Sequence, residues 1–293
     1  MARARARLGF IGAGRVGTGL ALSLARARCR VVAVASRSPA SAKKLAKRLR
    51  GARACLPQEV ADRADLVFLA VPDDAIEAVA SGIRWRAGSA CVHCSGAGEF
   101  DLLAKAAADG AAVGGFHPLR MFGEPGKSFE LRGCAIAIAG PDVLAKELER
   151  LARAVGARPL RLPEGGRALY HAAANFSGAF VIALVQETVA LWGKLGIAEG
   201  DALAALLPLL RGTVDNVERL GAAGGLGSAI ARGDAGTVRR HLEALAKAAP
   251  ETLELYRMLS LRTIPIALAK GTLKAEAAEQ LTALLKSPAS GKR

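Results

Sequence analysis

The sequence predicts an α/β fold: a doubly wound, mostly parallel sheet followed by an all-α C-terminal domain. Three observations predict it. Short apolar runs alternate with helical patterns between residues 7 and 162. A glycine-rich turn, Gly12-Ala13-Gly14-Arg15-Val16-Gly17, joins the first apolar run to the first helical pattern. Past Pro163 only helical patterns remain, separated by glycine-rich turns. Alternating strands and helices require a sheet covered on both faces, and a helix-only tail requires a second region.

Taken in order, Arg7–Ile11 reads as the first strand and Gly14–Arg28 as the first helix. Arg30–Ala35 is a second strand, Ala40–Arg50 a basic helix and Ala52–Cys55 a brief third strand. Asp65–Val71 (DLVFLAV) is an unbroken apolar run, the mark of a strand buried on both faces, and Pro72 stops it. A helix from Asp74 to Ser81, a strand from Ser89 to Cys94, a helix from Phe100 to Asp109 and a strand from Ala112 to Phe116 continue the rhythm. Gly133–Ala139 and Arg158–Leu162 are two more strands around a helix from Pro141 to Val155. Beyond these, Glu164–Leu195, Ala198–Glu218, Gly225–Arg232, Thr237–Ala249 and Pro250–Lys270 read as helices, and Ser287–Arg293 as a frayed tail. The expected domains are therefore 1–163 and 164–293.

The turn at Gly12 carries the first chemistry. A tight turn needs Gly12, close approach of the backbone to a pyrophosphate needs Gly14, and close packing of helix on strand needs Gly17. Arg15 and Val16 complete the loop, whose amides open the helix and face an anion. The end of the second strand says which dinucleotide is expected. A free ribose 2′-hydroxyl is held by an acid at this point, yet the chain has Ser36, Arg37 and Ser38, and no Asp or Glu precedes Glu59. Arginine grips a phosphate through parallel hydrogen bonds, so the expected cofactor is NADP. Val71 and Pro72 end the fourth strand and are expected to border the nicotinamide ribose, with Asp73 and Asp74 capping the next helix. Ser95 ends the fifth strand on the same rim, where its hydroxyl would meet nicotinamide or substrate. His117 follows the sixth.

Arg167, His171 and Asn175 are spaced i, i+4, i+8 and share one helical face. His171 suits the proton donor, because imidazole titrates near neutral pH. Arg167 suits a substrate carboxylate, and Asn175 orients the reacting group. Arg211, Thr213 and Asn216 in LLRGTVDN form a second polar group, which either completes the pocket or lies in a solvent-exposed turn.

Composition removes other classes. There are 41 basic and 26 acidic residues, a formal net charge of +15. Only 4% of residues are aromatic and no basic-aromatic stripe is present, so the charge reads as solvated surface and not as a nucleic-acid face. The opening residues lack the apolar segment of an export signal, which predicts a cytoplasmic protein with reduced thiols. Cys91-Val92-His93-Cys94 has metal-ligand spacing, but the two cysteines face opposite sides of a strand and no second pair exists, so no metal is expected. The stretch 168–186 is long enough to span a membrane. His171, Asn175, Ser177 and Gln186 interrupt it, which predicts a central helix buried in the helical domain instead.

The motifs GFIGAGRVG, ADLVFLAVPDDAI, VHCSGA, HPL, LYHAAA and PLLRGT occur in that order. Together they resemble a bacterial family of Rossmann-like proteins with a C-terminal helical domain of unknown function, DUF2520. More distantly the chain is similar to ketopantoate reductases, pyrroline-5-carboxylate reductases and β-hydroxyacid dehydrogenases, with a 6-phosphogluconate dehydrogenase-like C-terminal region. That resemblance implies an NADP-dependent oxidoreductase of a small 2-oxo acid or cyclic imine, ketopantoate-like substrates first, dimeric through the helical domain. In ketopantoate reductases one helix carries a Lys and then two Asn at four-residue intervals. Here those positions hold Arg167, His171 and Asn175, so the usual proton donor is replaced. The alternative is a non-catalytic NADP(H) sensor on a reductase scaffold.

Overall fold

The computed structural model describes residues 6–121 and 131–287. The chain divides into two compact units, Met1–Gly178 and Ala179–Arg293. The first runs β1 (Arg7–Ile11), α1 (Arg15–Arg26), β2 (Arg30–Ala35), α2 (Pro39–Ala46), β3 (Arg53–Ala54), α3 (Pro57–Arg63) and β4 (Leu66–Leu69). A 3-10 turn (Asp73–Ala75) then leads into α4 (Ile76–Ser81), followed by β5 (Ala90–His93) and a second 3-10 turn (Phe100–Leu103) into α5 (Ala104–Ala108). It ends with β6 (Ala112–Pro118), β7 (Ala135–Ala139), α6 (Asp142–Ala154), β8 (Arg158–Arg161) and α7 (Arg167–Ser177). Strands β1, β2 and β7 end at Ile11, Ala35 and Ala139 as expected, whereas β4 and β5 stop earlier than expected, at Leu69 and His93, and β6 runs on to Pro118; α7 belongs to the first compact unit, which ends at Gly178.

The eight strands form one sheet in the order β3-β2-β1-β4-β5-β6-β7-β8. All pairings are parallel except β6 with β7. The order reverses on either side of β1, which opens a crevice above its carboxyl end. Strand period separates two cores. Leu8, Phe10, Leu66, Phe68 and Val92 pack with α1, α2 and α6 on one face. Ile11, Val67, Leu69 and Cys91 pack with α3, α4 and α5 on the other. Phe10 stacks on Phe68 at 5.0 Å, and Phe116 meets Phe68 edge-on at 5.4 Å. Cys91 and Cys94 fall in opposite cores, as strand geometry requires, and burial raises both thiols, Cys94 to about 12.

Two helices lie outside the expected set. The helix α3 is short and polar, and it reaches the sheet because Gly9 leaves room: a Cβ there would lie 2.5 Å from Val60 Cγ1 and 2.9 Å from Ala64 Cβ. The other, α12, closes the second unit.

That unit contains α8 (Ala179–Gly193), α9 (Glu199–Gly225), a 3-10 turn (Ile230–Arg232), α10 (Ala235–Ala248), α11 (Pro250–Lys270) and α12 (Ala275–Lys286). Val238, Leu242, Leu253, Ile264, Leu281 and Leu285 form its core. Asp234 caps α10 by accepting from the Thr237 amide at 2.9 Å. Arg257 is buried and donates to the Leu285 carbonyl at 3.0 Å, satisfying the last turn of α12.

Four expectations are corrected. The helix expected over 164–195 is two helices that part at Gly178. Gly225–Arg232 is not a helix: α9 runs on to Gly225 and only the 3-10 turn follows. The group Arg211, Thr213 and Asn216 is exposed on α9, with Thr213 donating to the Leu209 carbonyl, so it forms no turn. Finally, α8 is not a buried central helix. Only Val189 is buried, while Ile182 and Leu184 are exposed. By length and composition alone, the stretch Arg167–Gly193 is long and apolar enough to cross a membrane, one 18-residue window of it having a mean hydropathy of 1.5. Of the predicted tail, only Ser287 lies within the described residues.

Candidate functional site

Apart from the Arg211 group on α9, every expected site residue lies in the first unit, at the carboxyl edge of β1, β2, β4, β5 and β6 or on α7. At β1 the chain turns at Gly12, whose φ is +110° and whose amide donates to the Ala35 carbonyl at 2.9 Å. A Cβ on Gly12 would collide with the Ala70 carbonyl, and one on Gly17 with the Gly12 carbonyl. Gly14 differs, because a Cβ there would meet nothing within 4 Å. Two glycines thus make the turn, and the third keeps the space before the helix clear. Arg15 is exposed and Val16 half-buried beside it. Helix α1 begins without a side-chain cap, leaving its first amides for another acceptor. This cradle fits a pyrophosphate.

At β2, Ser36 is half-buried while Arg37 and Ser38 are exposed. Ser38 also caps α2, its Oγ accepting from the Ser41 amide at 3.3 Å. Its hydroxyl proton is still available to a phosphate. At β4, Val71 is half-buried and Pro72 exposed. Asp73 accepts from Ser95 Oγ at 2.6 Å, instead of capping the following helix.

The β5 loop is the best-ordered part of the rim in bonding terms. Ser95 Oγ gives its single proton to Asp73 and accepts from the Gly98 amide at 2.8 Å. The expectation that it donates to nicotinamide or substrate is therefore corrected: a hydroxyl has one proton, and Asp73 holds it. Two partners on α7 hold the same loop. The Arg167 guanidinium donates to the Ser95 carbonyl, and the Arg167 amide donates to Glu99 Oε1 at 3.0 Å.

Arg167 is fully buried. A Cβ on Gly115 of β6 would lie 2.6 Å from its Cζ, so the guanidinium fills the place a side chain would take. Its Nε and Nη1 have no partner. Burial pulls its pKa below the ordinary guanidinium value, and the charge of Glu99 opposes that fall. The expectation that Arg167 faces a substrate carboxylate is corrected: the side chain points under the β5 loop and not out of it.

His171, one turn on, is half-buried and packs on Gly96, where a Cβ would lie 2.9 Å from its Nε2. Asn175 donates from Nδ2 to the His171 carbonyl at 3.2 Å. The common face expected for Arg167, His171 and Asn175 thus exists, with a gradient from buried to half-exposed. Sequence reasoning missed Tyr170 and Glu99. The Tyr170 hydroxyl lies 3.1 Å from His117 Nδ1, and the His117 ring stands edge-on to His171 at 5.6 Å. Burial, then the charges of His171 and Arg167, push His117 down to about 4. His93, fully buried with neither ring nitrogen bonded, is also lowered to about 4, by burial and then by Arg167. Both are neutral at physiological pH.

A cavity of about 710 Å³ opens at the opposite, amino edge of the strands, lined by Leu66, Ala90, Ala112 and Leu144. Its acids are already committed, Asp65 to Arg7 at 2.8 Å and Glu147 to Arg150 at 2.6 Å. Unpaired buried polar groups and the glycine cradle meet instead at the carboxyl edge.

The fold and this rim define a doubly wound dinucleotide-fold protein with a helical C-terminal region. Residues 1–118 match the Rossmann-like domain family, and residues 134–263 match the domain of unknown function DUF2520. The chain combines these two domains. No match was found among curated proteins. Among solved structures, a Bacteroides fragilis protein assigned as an NADP oxidoreductase is 25% identical, with a TM-score of 0.69 over 88% of this chain and 97% of its own. Protein TM1727 from Thermotoga maritima is 23% identical, with a TM-score of 0.76 over 90% and 99%. Pyrroline carboxylate reductase from Plasmodium falciparum, solved with NADP bound, is 15% identical, with a TM-score of 0.59 over 96% and 98%. The last two share the fold.

Proposed function

We propose that this protein is an NADP-dependent reductase of a small imine or 2-oxo compound. One observation carries the reading: α7 sets His171 against Gly96 on the same sheet edge as the Gly12–Gly17 cradle. A dinucleotide lying along that edge brings its reactive end toward the β5 loop. The similarity to the Bacteroides fragilis protein supports the cofactor class. The bound cofactor supplies hydride. Gly12, Gly14, Arg15, Val16 and Gly17 hold its pyrophosphate, Ser36, Arg37 and Ser38 its 2′-phosphate, and Val71 and Pro72 border its second ribose. His171 delivers a proton to the nitrogen or oxygen that gains charge, and Asn175 fixes the helix turn that carries it. His117 and His93 are neutral and supply no competing proton.

Burial of Arg167 reorders the substrates. With that guanidinium committed to the Ser95 carbonyl, α7 offers no cation to a carboxylate, which places imines ahead of ketopantoate-like acids. The test is NADPH oxidation against a panel of cyclic imines and 2-oxo acids. His171→Ala is expected to lower turnover by ~10²-fold, the scale of a lost general acid. Unchanged turnover removes His171 from that role. The commitment of Arg167 and of the Ser95 hydroxyl to structural bonds favours a second reading, an NADP(H) sensor. Tight NADPH binding with no turnover on any compound would select it.

We further propose a homodimer formed by the helical region. The apolar run 180–185 of α8 needs cover, and Ile182 is 60% exposed. The resemblance to reductase families that are often dimeric through their helical domain supports the same pairing here. Sedimentation at micromolar concentration is expected to give twice the chain mass.

A further inference from the structure

We infer that Glu99 is a positioning residue for the proton donor, acting through the first turn of α7. The inference rests on the reductase reading above. Glu99 ends the β5 loop and is half-buried. Its Oε1 accepts from the Arg167 amide at 3.0 Å, the first amide of α7 and one with no partner inside the helix. Its charge also sits at the positive end of the helix. Gly166, the residue before the helix, supplies no side-chain cap, so Glu99 supplies it from 68 residues away.

The consequence is geometric. The loop Ser95–Glu99 and the start of α7 meet at three points. Glu99 holds the Arg167 amide, the Arg167 guanidinium holds the Ser95 carbonyl, and the His171 ring lies on Gly96. The first two fix the distance between loop and helix, and the third places the imidazole. Ser95 then ties the loop to Asp73 at the end of β4. Releasing Glu99 lets the helix start lift, which separates the His171 ring from Gly96 and from the rim. A shift of about 1 Å at a reacting group lowers turnover by up to ~10²-fold without altering the cofactor cradle.

Glu99→Ala and Glu99→Gln separate this from a general structural effect, because Gln keeps an oxygen acceptor at the same reach. Three measurements apply: turnover and KM on the imine panel, NADPH affinity by calorimetry, and hydrogen exchange across residues 167–171. We expect E99A to lower kcat by ~10-fold, with KM and NADPH affinity within roughly threefold of wild type. Exchange across 167–171 should quicken by ~10-fold in E99A. E99Q should restore both readouts. Wild-type turnover in E99A, or a loss in E99Q as large as in E99A, overturns the role of Glu99 alone. Unchanged exchange in E99A shows that Glu99 does not hold α7 and overturns it as well. Wild-type protein that oxidises no NADPH overturns the reductase reading, and the positioning role with it.

Discussion

Gly14→Ala and Gly17→Ala place the same methyl at two points of one turn, with opposite consequences expected. At Gly14 the backbone lies at φ −76° and ψ −164°, a conformation alanine adopts without strain. A Cβ there meets no atom within 4 Å. Folding stability should therefore change by no more than about 0.5 kcal/mol. The methyl does occupy the space through which the pyrophosphate reaches the amides of α1. Displacing one charge-assisted hydrogen bond costs about 1.5–3 kcal/mol, roughly a 10- to 100-fold loss in NADPH affinity. At Gly17 the methyl runs into the Gly12 carbonyl and lies 3.1 Å from Ala70 Cβ. Gly12 cannot yield easily, since its own amide is bonded to Ala35. Overpacking of this kind costs about 1–3 kcal/mol of stability. Thermal melts with and without NADPH, together with calorimetry, separate the two. G14A should melt like wild type yet gain little from NADPH. G17A should melt lower in either condition. A G14A protein that binds NADPH as tightly as wild type would refute the placement of the pyrophosphate and remove the basis for the cofactor assignment.

Two other predictions concern the acid that anchors β1 and the glycine beneath the proton donor. Asp65 accepts from the Arg7 backbone amide at 2.9 Å and from its guanidinium at 2.8 and 3.1 Å, and these bonds hold its carboxyl down at about 2, against an ordinary 3.8. A depressed folded-state pKa stabilises the fold fully above the unfolded value and loses that contribution as pH falls from about 3.8 to about 2. The full shift would correspond to ~2.4 kcal/mol, but the side chain is 39% exposed. Solvent screening reduces the expected loss in Asp65→Asn to about 1 kcal/mol at pH 7. Urea titrations should show the wild-type advantage shrinking below pH 4, and a difference that persists at pH 3 in full would contradict it. Gly96→Ala drives a methyl into the His171 ring. Turnover should fall by ~10²-fold while NADPH affinity holds, and a fully active G96A would separate His171 from the reaction.

The parts of the fold legible in the sequence are those written in contiguous residues. DLVFLAV reads as a strand because all four residues of Leu66–Leu69 are buried, two in each core. The cradle reads because three glycines and a strand-to-helix change fall within six residues. What failed to read depends on pairs far apart in the chain. Gly9 makes room for α3, Gly115 for Arg167 and Gly96 for His171. In each pair a glycine lacks the side chain whose place another residue fills, and a helical period alone cannot reveal that. The i, i+4 spacing of Arg167 and His171 places both on one face of α7, the face expected to meet substrate. It could not say that Gly115 admits the first fully while Gly96 leaves the second half-exposed. A partial signal was present, since glycine inside a strand marks a close approach by another group, and β6 carries Gly114 and Gly115 in succession.

The correction at α8 has a different physical origin. Its residues predicted burial because burial is what an apolar helix requires, and the inference from Phe180-Val181-Ile182-Ala183-Leu184 to exclusion from water is sound. That expectation assumed that the same chain does the excluding. Within one chain only Val189 of α8 is buried, and Leu209 and Val214 on α9 are likewise exposed, at 68% and 58%. Hydrophobic patterning records how much surface must leave water and is silent on which molecule covers it. The proposed second copy, meeting α8 symmetrically, would cover the apolar run 180–185 with the one surface the sequence supplies.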